Sequence, residues 1–246
     1  MIFFIFLFLL GLGMVLLPYI SGAVVDHNVQ KDAEIFLEQV PSQPQIEMVL
    51  PAEKEDTPPM ENQALWDACT DYNACIWQER QAGLRDPWSY QQTSLNLSSY
   101  DVEDDIFAVI SIPRLEVKLP IYLGASNEHL TLGAAHLTQT SLPIGGTSTN
   151  CVLAGHRGWH GASFFRDIVV LMPGDEVLIS NLWGQLRYTV TETKIIPAKD
   201  VDSIRIREGR DMVTLLTCYY PNPNEKVRFL VICDRNEITL EGGETA

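Results

Sequence analysis

The amino-acid sequence predicts a mostly β fold, a closed or nearly closed barrel in the C-terminal part of the chain. Beyond residue 106 the chain consists of short runs rich in β-branched and aromatic residues, separated by turn-forming residues. Seven runs are recognisable, at 108–112, 118–123, 151–154, 177–182, 186–196, 212–219 and 227–233. With 246 residues and 46% hydrophobic content, the chain can bury one core and still carry extra segments. Helical interruptions of the barrel are predicted at 127–137 and 163–171.

The first element in the chain is a predicted transmembrane anchor or signal segment over residues 1–25. Residues 2–25 carry no charge, and at about 1.5 Å per helical residue they can cross a hydrocarbon core of roughly 30 Å. Ser21-Gly22-Ala23 resembles a signal-peptidase site, while the usual positive charges before Ile2 are missing. Cleavage and orientation therefore both stay open, and an uncleaved anchor is the expectation.

Residues 26–60 are predicted to form an acidic, proline-rich spacer between the anchor and the folded domain. From residue 26 to residue 62, five prolines and nine acidic residues accompany only Lys31 and Lys54. Such a composition cannot bury enough apolar surface to fold alone. The beginning of the stretch, 26–40, also fits a helix that continues from the anchor, and the remainder predicts a linker.

Residues 61–105 are predicted to contain a helix followed by an irregular segment. Apolar residues recur with helical spacing from Leu65 to Ile76, and Gly83 ends the pattern. Farther along, Pro87 biases Asp86 toward extended geometry. The barrel domain is assigned to residues 106–236, and residues 237–246 are assigned to an acidic tail.

Charge and cysteine content exclude two classes of function. The 17 basic and 32 acidic residues give a net charge of -15, which argues against binding nucleic-acid phosphates. Five cysteines, an odd number, leave at least one free thiol in an exported chain, and no Cys-x-x-Cys pair suggests a zinc ribbon. Cys69 and Cys75 would lie about 9 Å apart along a helix, beyond the roughly 7 Å that a disulfide tolerates.

Three side chains form a candidate catalytic group at predicted strand ends. Cys218 closes the run Thr-Leu-Leu-Thr-Cys at 214–218, and a turn-rich loop follows it. His156 follows the run 151–154 within Gly-His-Arg-Gly, and a histidine there can transfer a proton near pH 7. Arg228 lies on the next run after Cys218, where a guanidinium can stabilise the oxyanion formed when a thiolate attacks a carbonyl.

These residues resemble the signature of the sortase family. The similarity lies in Thr-Leu-x-Thr-Cys, in Gly-His-Arg-Gly after a strand, and in the arginine of the following strand, and it runs from about residue 72 to residue 235. The resemblance implies an eight-stranded barrel with short helices, preceded by an N-terminal helix and a lid. It also implies that Cys218 is the nucleophile, His156 the proton-transfer partner and Arg228 the oxyanion donor, without a cofactor.

Within the family, Asp86-Pro87-Trp88 resembles the lid of the class C, pilin-polymerising enzymes. By that resemblance Trp88 covers Cys218 and Asp86 pairs with Arg228. Two departures concern the subclass. Class C enzymes commonly read Thr-Cys-Thr-Pro-Tyr-Gly at the nucleophile, where this chain reads Tyr-Tyr-Pro-Asn after Cys218, and many carry a second membrane helix where this chain has its acidic tail.

The resemblance implies a sorting-signal transpeptidase at the cell membrane, with its catalytic domain outside the cell. It would cleave a Leu-Pro-x-Thr-Gly-like motif in pilin or surface proteins and transfer the acyl group to an amine. That amine would be a pilin lysine or, alternatively, a cell-wall precursor. The rival hypotheses are a non-catalytic assembly or adhesion module and a papain-like protease.

The remaining polar and aromatic candidates have simpler interpretations. His160 stands four residues after His156, but glycines on both sides argue against a helical metal site, so no metal is expected. His136 is assigned a structural role within the predicted helix 127–137. Trp159 and Trp183 are assigned to the barrel surface or its loops, with the alternative that Trp159 lines a substrate groove.

Overall fold

Eight strands close into a barrel within the residues that the computed structural model describes, namely 2–40, 61–84, 92–102, 105–159, 161–222 and 225–236. The order around the barrel is β1-β2-β3-β4-β7-β8-β6-β5. The strands are β1 Ile106–Ile112, β2 Val117–Leu123, β3 Ala134–His136, β4 Thr149–Ala154, β5 Glu176–Asn181, β6 Gly184–Pro197, β7 Asp211–Tyr219 and β8 Val227–Arg235. The mostly β barrel that the sequence predicts is confirmed, and each of the seven predicted runs forms a strand.

The described helices are α1 Ile2–Gln39, α2 Gln63–Gln78 and α3 Asn127–Leu132. Short 3₁₀ turns add Leu97–Tyr100, Pro113–Leu115, Ile168–Val170 and Asp202–Ile204. The barrel interior is filled by large side chains without exposure to solvent, among them Phe107, Phe165, Leu153, Leu215 and Val231. Burial of this kind contributes roughly 1.5–3 kcal/mol per large apolar side chain.

The helix predicted over 127–137 is wrong in its second half. Ser126 begins α3 by accepting the His129 N–H at 3.0 Å, and the helix ends before Gly133. A β-carbon at Gly133 would lie 2.4 Å from the Pro120 carbonyl oxygen, so the chain passes there directly against β2. It then pairs in parallel with β2 as the short strand β3, which carries His136.

The helix predicted over 163–171 is also wrong, because this segment forms turns with a single 3₁₀ turn, Ile168–Val170. Phe164, Phe165 and Ile168 are all buried in the core. Their spacing resembles a helical stripe, but tight turns bury the same side chains.

α1 begins in the predicted anchor and continues far beyond it. From Phe3 to Ile20 its large apolar side chains are exposed, and in length and composition this part is compatible with a membrane span. Residues 26–39, which the sequence assigns to the spacer with a continuing helix as the alternative, are helical and bury Val29, Ala33 and Phe36 against the barrel. Residues 41–60 lie outside the described residues.

α2 packs across one side of the barrel. Its residue Asn73 accepts the Leu142 N–H at 2.7 Å, and the Tyr72 hydroxyl accepts the Gln139 N–H at 3.0 Å. Trp183, expected at the barrel surface or in its loops, lies in the turn after β5 but is only 7% exposed, and its ring lies 5.0 Å from that of Trp66. The turn between β5 and β6 therefore anchors α2 with an indole that the local sequence places in a loop.

The pairing pattern gathers three strand termini at one rim of the barrel. β4 and β7 run parallel, so their C-terminal ends lie together, and β8 runs antiparallel to β7, so its beginning lies there too. The residue after β4, the last residues of β7 and the first residues of β8 are thus neighbours.

Candidate active site

Cys218 and Arg228 form a cross-strand pair at this rim. They are directly opposite in the β7–β8 register, and Nη1 of Arg228 lies 3.7 Å from Sγ of Cys218. Side chains opposite one another on antiparallel strands project to the same face of the sheet. The β7–β8 hairpin therefore brings Cys218 and Arg228, ten residues apart in the sequence, into contact.

His156 reaches the same rim from β4. The β4–β7 ladder ends at the pair Ala154 and Leu216, after which Gly155 donates its N–H to the Leu216 carbonyl at 3.1 Å. The Thr217 hydroxyl then donates to the Gly155 carbonyl at 2.8 Å. Extending the parallel register by two positions beyond the pair Ala154 and Leu216 puts His156 level with Cys218, so the backbone pairing places all three predicted residues at this rim.

The environment of the three side chains differs in a way that suits acyl transfer. Cys218 is half-buried, which leaves its sulfur reachable, while Arg228 is only 9% exposed. A guanidinium withdrawn from water interacts more strongly with a nearby negative charge than an exposed one does. Burial lowers the pKa of the His156 imidazole below its ordinary value of 6.5.

Trp159, which the sequence assigns to the barrel surface or its loops or alternatively to a substrate groove, is a neighbour of His156, and this contact was not predicted. Its indole stacks on the imidazole with ring centroids 4.5 Å apart and planes 11° apart. The loop folds back through two backbone hydrogen bonds between Trp159 and Ala162, at 3.0 and 2.8 Å. In the sequence, Trp159 is an aromatic residue three positions after His156 in a glycine-rich loop. That pattern does not predict which side chain the indole contacts.

Tyr219, the last residue of β7, and Tyr220 just after it complete the surroundings of Cys218. A hydrogen bond with the Cys218 thiol raises the pKa of the Tyr220 phenol, whose side chain is exposed. The Arg157 guanidinium lies over the Tyr219 ring, 4.8 Å from its centroid. Arg157 thus packs outward on an aromatic surface, which fits a charge at the rim.

His136 is a structural histidine, although on a strand and not in the predicted helix. Its Nε2 lies 3.1 Å from each of the Thr140 and Ser141 carbonyl oxygens, and its Nδ1 lies 3.1 Å from the Ser94 hydroxyl. Complete burial lowers the pKa of His136 to about 4. The ring is therefore neutral at pH 7 and ties the segment after β3 to the barrel.

Several predicted features fall outside the described residues. The lid residues Asp86 and Trp88 are among them, as is His160. Within the described part of the chain, no group of three or more His, Cys, Asp or Glu side chains could hold a metal ion. The five cysteines are all free thiols, with Cys69, Cys151 and Cys233 buried and Cys75 exposed.

Comparison with known proteins gives one consistent result. The family model of the Sortase domain matches residues 110–236. "Sortase A" of Listeria monocytogenes is 32% identical over 136 residues, covering 55% of this chain and 58% of the relative. "Sortase D" of Bacillus subtilis is 28% identical over 111 residues, covering 45% and 53%. The chain thus matches only about half of the length of these relatives.

Solved structures match over more of their length. The Type II crystal structure of Streptococcus agalactiae Sortase C1 has a TM-score of 0.65 at 31% identity, covering 75% of this chain and 92% of that one. Sortase C-1 from Actinomyces oris has a TM-score of 0.58 at 35% identity, covering 70% and 99%. Sortase A from Corynebacterium diphtheriae has a TM-score of 0.64 at 26% identity, covering 74% and 86%.

Proposed function

The chain belongs to the sortase family, and from this premise we propose that it is a membrane-anchored cysteine transpeptidase that uses Cys218, His156 and Arg228. The observation that carries the proposal is the contact between the Cys218 thiol and the Arg228 guanidinium, with His156 on the adjoining strand end. A nucleophile, a proton carrier and a fixed cation at one accessible rim are the groups that acyl transfer requires.

In the first half-reaction the Cys218 sulfur attacks the threonyl carbonyl carbon of a sorting motif. His156 accepts the thiol proton, and Arg228 donates hydrogen bonds to the oxyanion as negative charge develops on the carbonyl oxygen. The carbon–nitrogen bond then breaks, His156 returns the proton to the departing amine, and a thioester on Cys218 remains.

In the second half-reaction an acceptor amine attacks the thioester carbon. His156 takes a proton from the attacking nitrogen, and Arg228 again stabilises the oxyanion. The carbon–sulfur bond breaks, and the proton held on His156 restores the Cys218 thiol. The product, which now contains a new amide bond, is released. In each half-reaction His156 takes up one proton and returns it, so no further acid, base or cofactor is required.

The acceptor that we favour is a lysine of a pilin subunit. The support is the Asp86-Pro87-Trp88 lid motif and the similarity to class C structures, one of which is described as "Pilus-related Sortase C of Group B Streptococcus". A cell-wall precursor amine is the second candidate, because relatives named Sortase A match as well. The two candidates share the first half-reaction and differ only in the amine.

The location proposed for the enzyme is the membrane surface, with the catalytic domain outside the cell. The exposed apolar part of α1 ends near Ile20, and buried contacts with the barrel begin at Gly22. A domain held so soon after the span would lie directly against the bilayer, not at the end of a long spacer.

The decisive experiment is mass spectrometry of the full-length protein after incubation with a Leu-Pro-x-Thr-Gly peptide. The expected product is an acyl adduct on Cys218, which Cys218→Ala abolishes and Cys75→Ser, at an exposed thiol, retains. An adduct on Cys218→Ala would overturn the assignment of the nucleophile. No turnover by the wild type would favour a non-catalytic module, and hydrolysis without sequence preference would favour a protease.

A competition between amines decides the acceptor. The preformed thioester is offered a lysine-containing pilin peptide and a cell-wall precursor amine at equal concentration. Preferential isopeptide formation supports pilus assembly, whereas preferential transfer to the precursor amine supports surface-protein anchoring.

A further inference from the structure

The second half of α1 is docked on the barrel along one continuous face. Its buried residues recur at helical spacing, at Gly22, Val29, Ala33 and Phe36. Ala33 and Phe36 pack in one cluster with Ile106, Val109 and Tyr122 of β1 and β2. The helix that follows the predicted span is therefore part of the folded domain.

At its first buried turn α1 touches the loop that carries the catalytic histidine. This histidine loop comprises the described residues 156–159 and 161–165. A β-carbon on Gly22 would lie 2.5 Å from the Gly161 carbonyl carbon, and a β-carbon on Gly161 would lie 2.6 Å from the Pro18 carbonyl oxygen. Gly161 also has φ +92, a conformation that other residues rarely adopt. The two backbones thus meet without side chains between them.

One turn farther along α1, Asp26 makes a hydrogen bond to the same loop. Its Oδ1 accepts the backbone N–H of Ser163 at 2.9 Å. A backbone donor that is held by a carboxylate forms a charge-assisted bond, stronger than a bond between neutral groups. Gly22 and Asp26 therefore contact the histidine loop on both sides of Ala162.

Inside the loop these contacts lead directly to His156. Ala162 is paired with Trp159 by two backbone hydrogen bonds, and the indole of Trp159 stacks on the imidazole of His156. At the base of the loop, Phe165 donates its N–H to the His156 carbonyl at 3.0 Å. A displacement of the loop at Gly161 would therefore move the surface on which the imidazole rests.

We propose that Gly22 and Asp26 of α1 are positioning residues for His156, which they act upon through the histidine loop and Trp159. The inference rests on the proposed catalytic role of His156. The membrane anchor and the active site are then structurally coupled, because the helix that is predicted to span the bilayer also holds the loop that carries the proton-transfer group.

The size of the effect follows from the contact distance. A valine at position 22 would place its β-carbon 2.5 Å from a backbone atom, where ordinary contact begins at 3.4 Å, so helix and loop must separate by nearly 1 Å. A misplacement on the order of 1 Å in a catalytic constellation can lower the rate by about 100-fold. Gly22→Val should therefore lower kcat by about 10- to 100-fold and change KM little.

The test uses the full chain in lipid nanodiscs, with two readouts. One is kcat and KM for a sorting peptide, and the other is the NMR signal of the His156 ring protons, identified by its loss in His156→Gln. Stacking on Trp159 shifts these protons to higher field, so a displaced loop moves the signal back. Gly13→Val is the matched control, since nothing lies within 4 Å of Gly13 on the same helix.

The Asp26 variants test the proposal without steric pressure. Asp26→Ala removes the acceptor for Ser163 and should lower kcat and shift the His156 signal in the same direction as Gly22→Val. Asp26→Asn keeps a carbonyl oxygen at that place and should restore both readouts toward the wild type.

Wild-type kcat and an unmoved His156 signal in folded Gly22→Val and Asp26→Ala would overturn the proposal, as would equal losses in Gly13→Val. If the wild type cleaves no sorting peptide, the proposed function fails while the NMR signal still decides whether α1 positions His156. If Gly22→Val does not fold, the Asp26 pair decides.

Discussion

Replacing Arg228 with lysine tests whether the site requires the planar guanidinium donors or only a positive charge. Arg228 Nη1 lies 3.7 Å from the Cys218 sulfur, so an oxygen on the carbon attacked by that sulfur falls within reach of the guanidinium. A lysine keeps the charge but offers a point-like ammonium on a flexible stem. Loss of one oxyanion donor typically costs on the order of 100- to 1,000-fold in kcat, about 3–4 kcal/mol. Arg228→Lys should show a loss of this size, with KM changed by less than about threefold.

The assay is steady-state cleavage of a fluorogenic sorting peptide, and the matched control is Arg210→Lys. Arg210 precedes the opposite end of β7, where its Nε donates to Asp234 Oδ1 at 2.7 Å. The same chemical change there should leave kcat within about twofold of the wild type, because this half-buried ion pair lies at the end of β7 opposite to Cys218. A wild-type kcat in Arg228→Lys, or an equal loss in Arg210→Lys, would remove Arg228 from the mechanism.

Two further predictions concern the lid and the buried histidine. If Trp88 covers Cys218 and Asp86 pairs with Arg228, Trp88→Ala, and more so the double variant with Asp86→Ala, should speed alkylation of Cys218 by iodoacetamide; an exposed tryptophan of α2, in Trp77→Ala, serves as control. Unchanged alkylation in a folded double variant would refute the lid. His136, whose pKa is lowered to about 4 by burial, binds a proton in the unfolded chain before it does so in the fold. The free energy of unfolding should therefore decrease as the pH is lowered below about 6.5, by about 2 kcal/mol between pH 7 and pH 4.5. Urea unfolding of the wild type and of His136→Gln measures this loss, and an equal loss in both would refute its source.

The candidate site could be predicted because its residues lie at strand ends, where local sequence is informative. Gly155 and the proline-rich loop after Cys218 end β-rich runs, and a polar residue beside such a break belongs to the rim of a barrel. The resemblance to the sortase family then assigned roles to His156, Cys218 and Arg228. What it could not supply was the stacking of Trp159 on His156, because an indole three residues away can point in several directions.

Errors in the fold have a common physical origin. β3 is only three residues long, too short to show a period of two, and its pairing with β2 depends on the close passage at Gly133. Trp183 lies in a turn that local rules place at the surface, yet α2 covers it and the Glu61 carbonyl accepts its indole N–H at 3.0 Å. In both cases a distant segment provides the contact that decides the structure.

The sequence by itself determined the barrel, seven of its strands and the placement of three candidate side chains at strand ends, because hydrophobic alternation and turn residues act over a few positions. Only the tertiary structure decided how α1 ends. Composition predicts a spacer after the span, with a continuing helix over 26–40 as the alternative, and the helix forms because Ala33 and Phe36 find an apolar surface on β1 and β2. Burial of that face stabilises a helix that would be solvated if isolated, and Gly22 is thereby brought against the histidine loop.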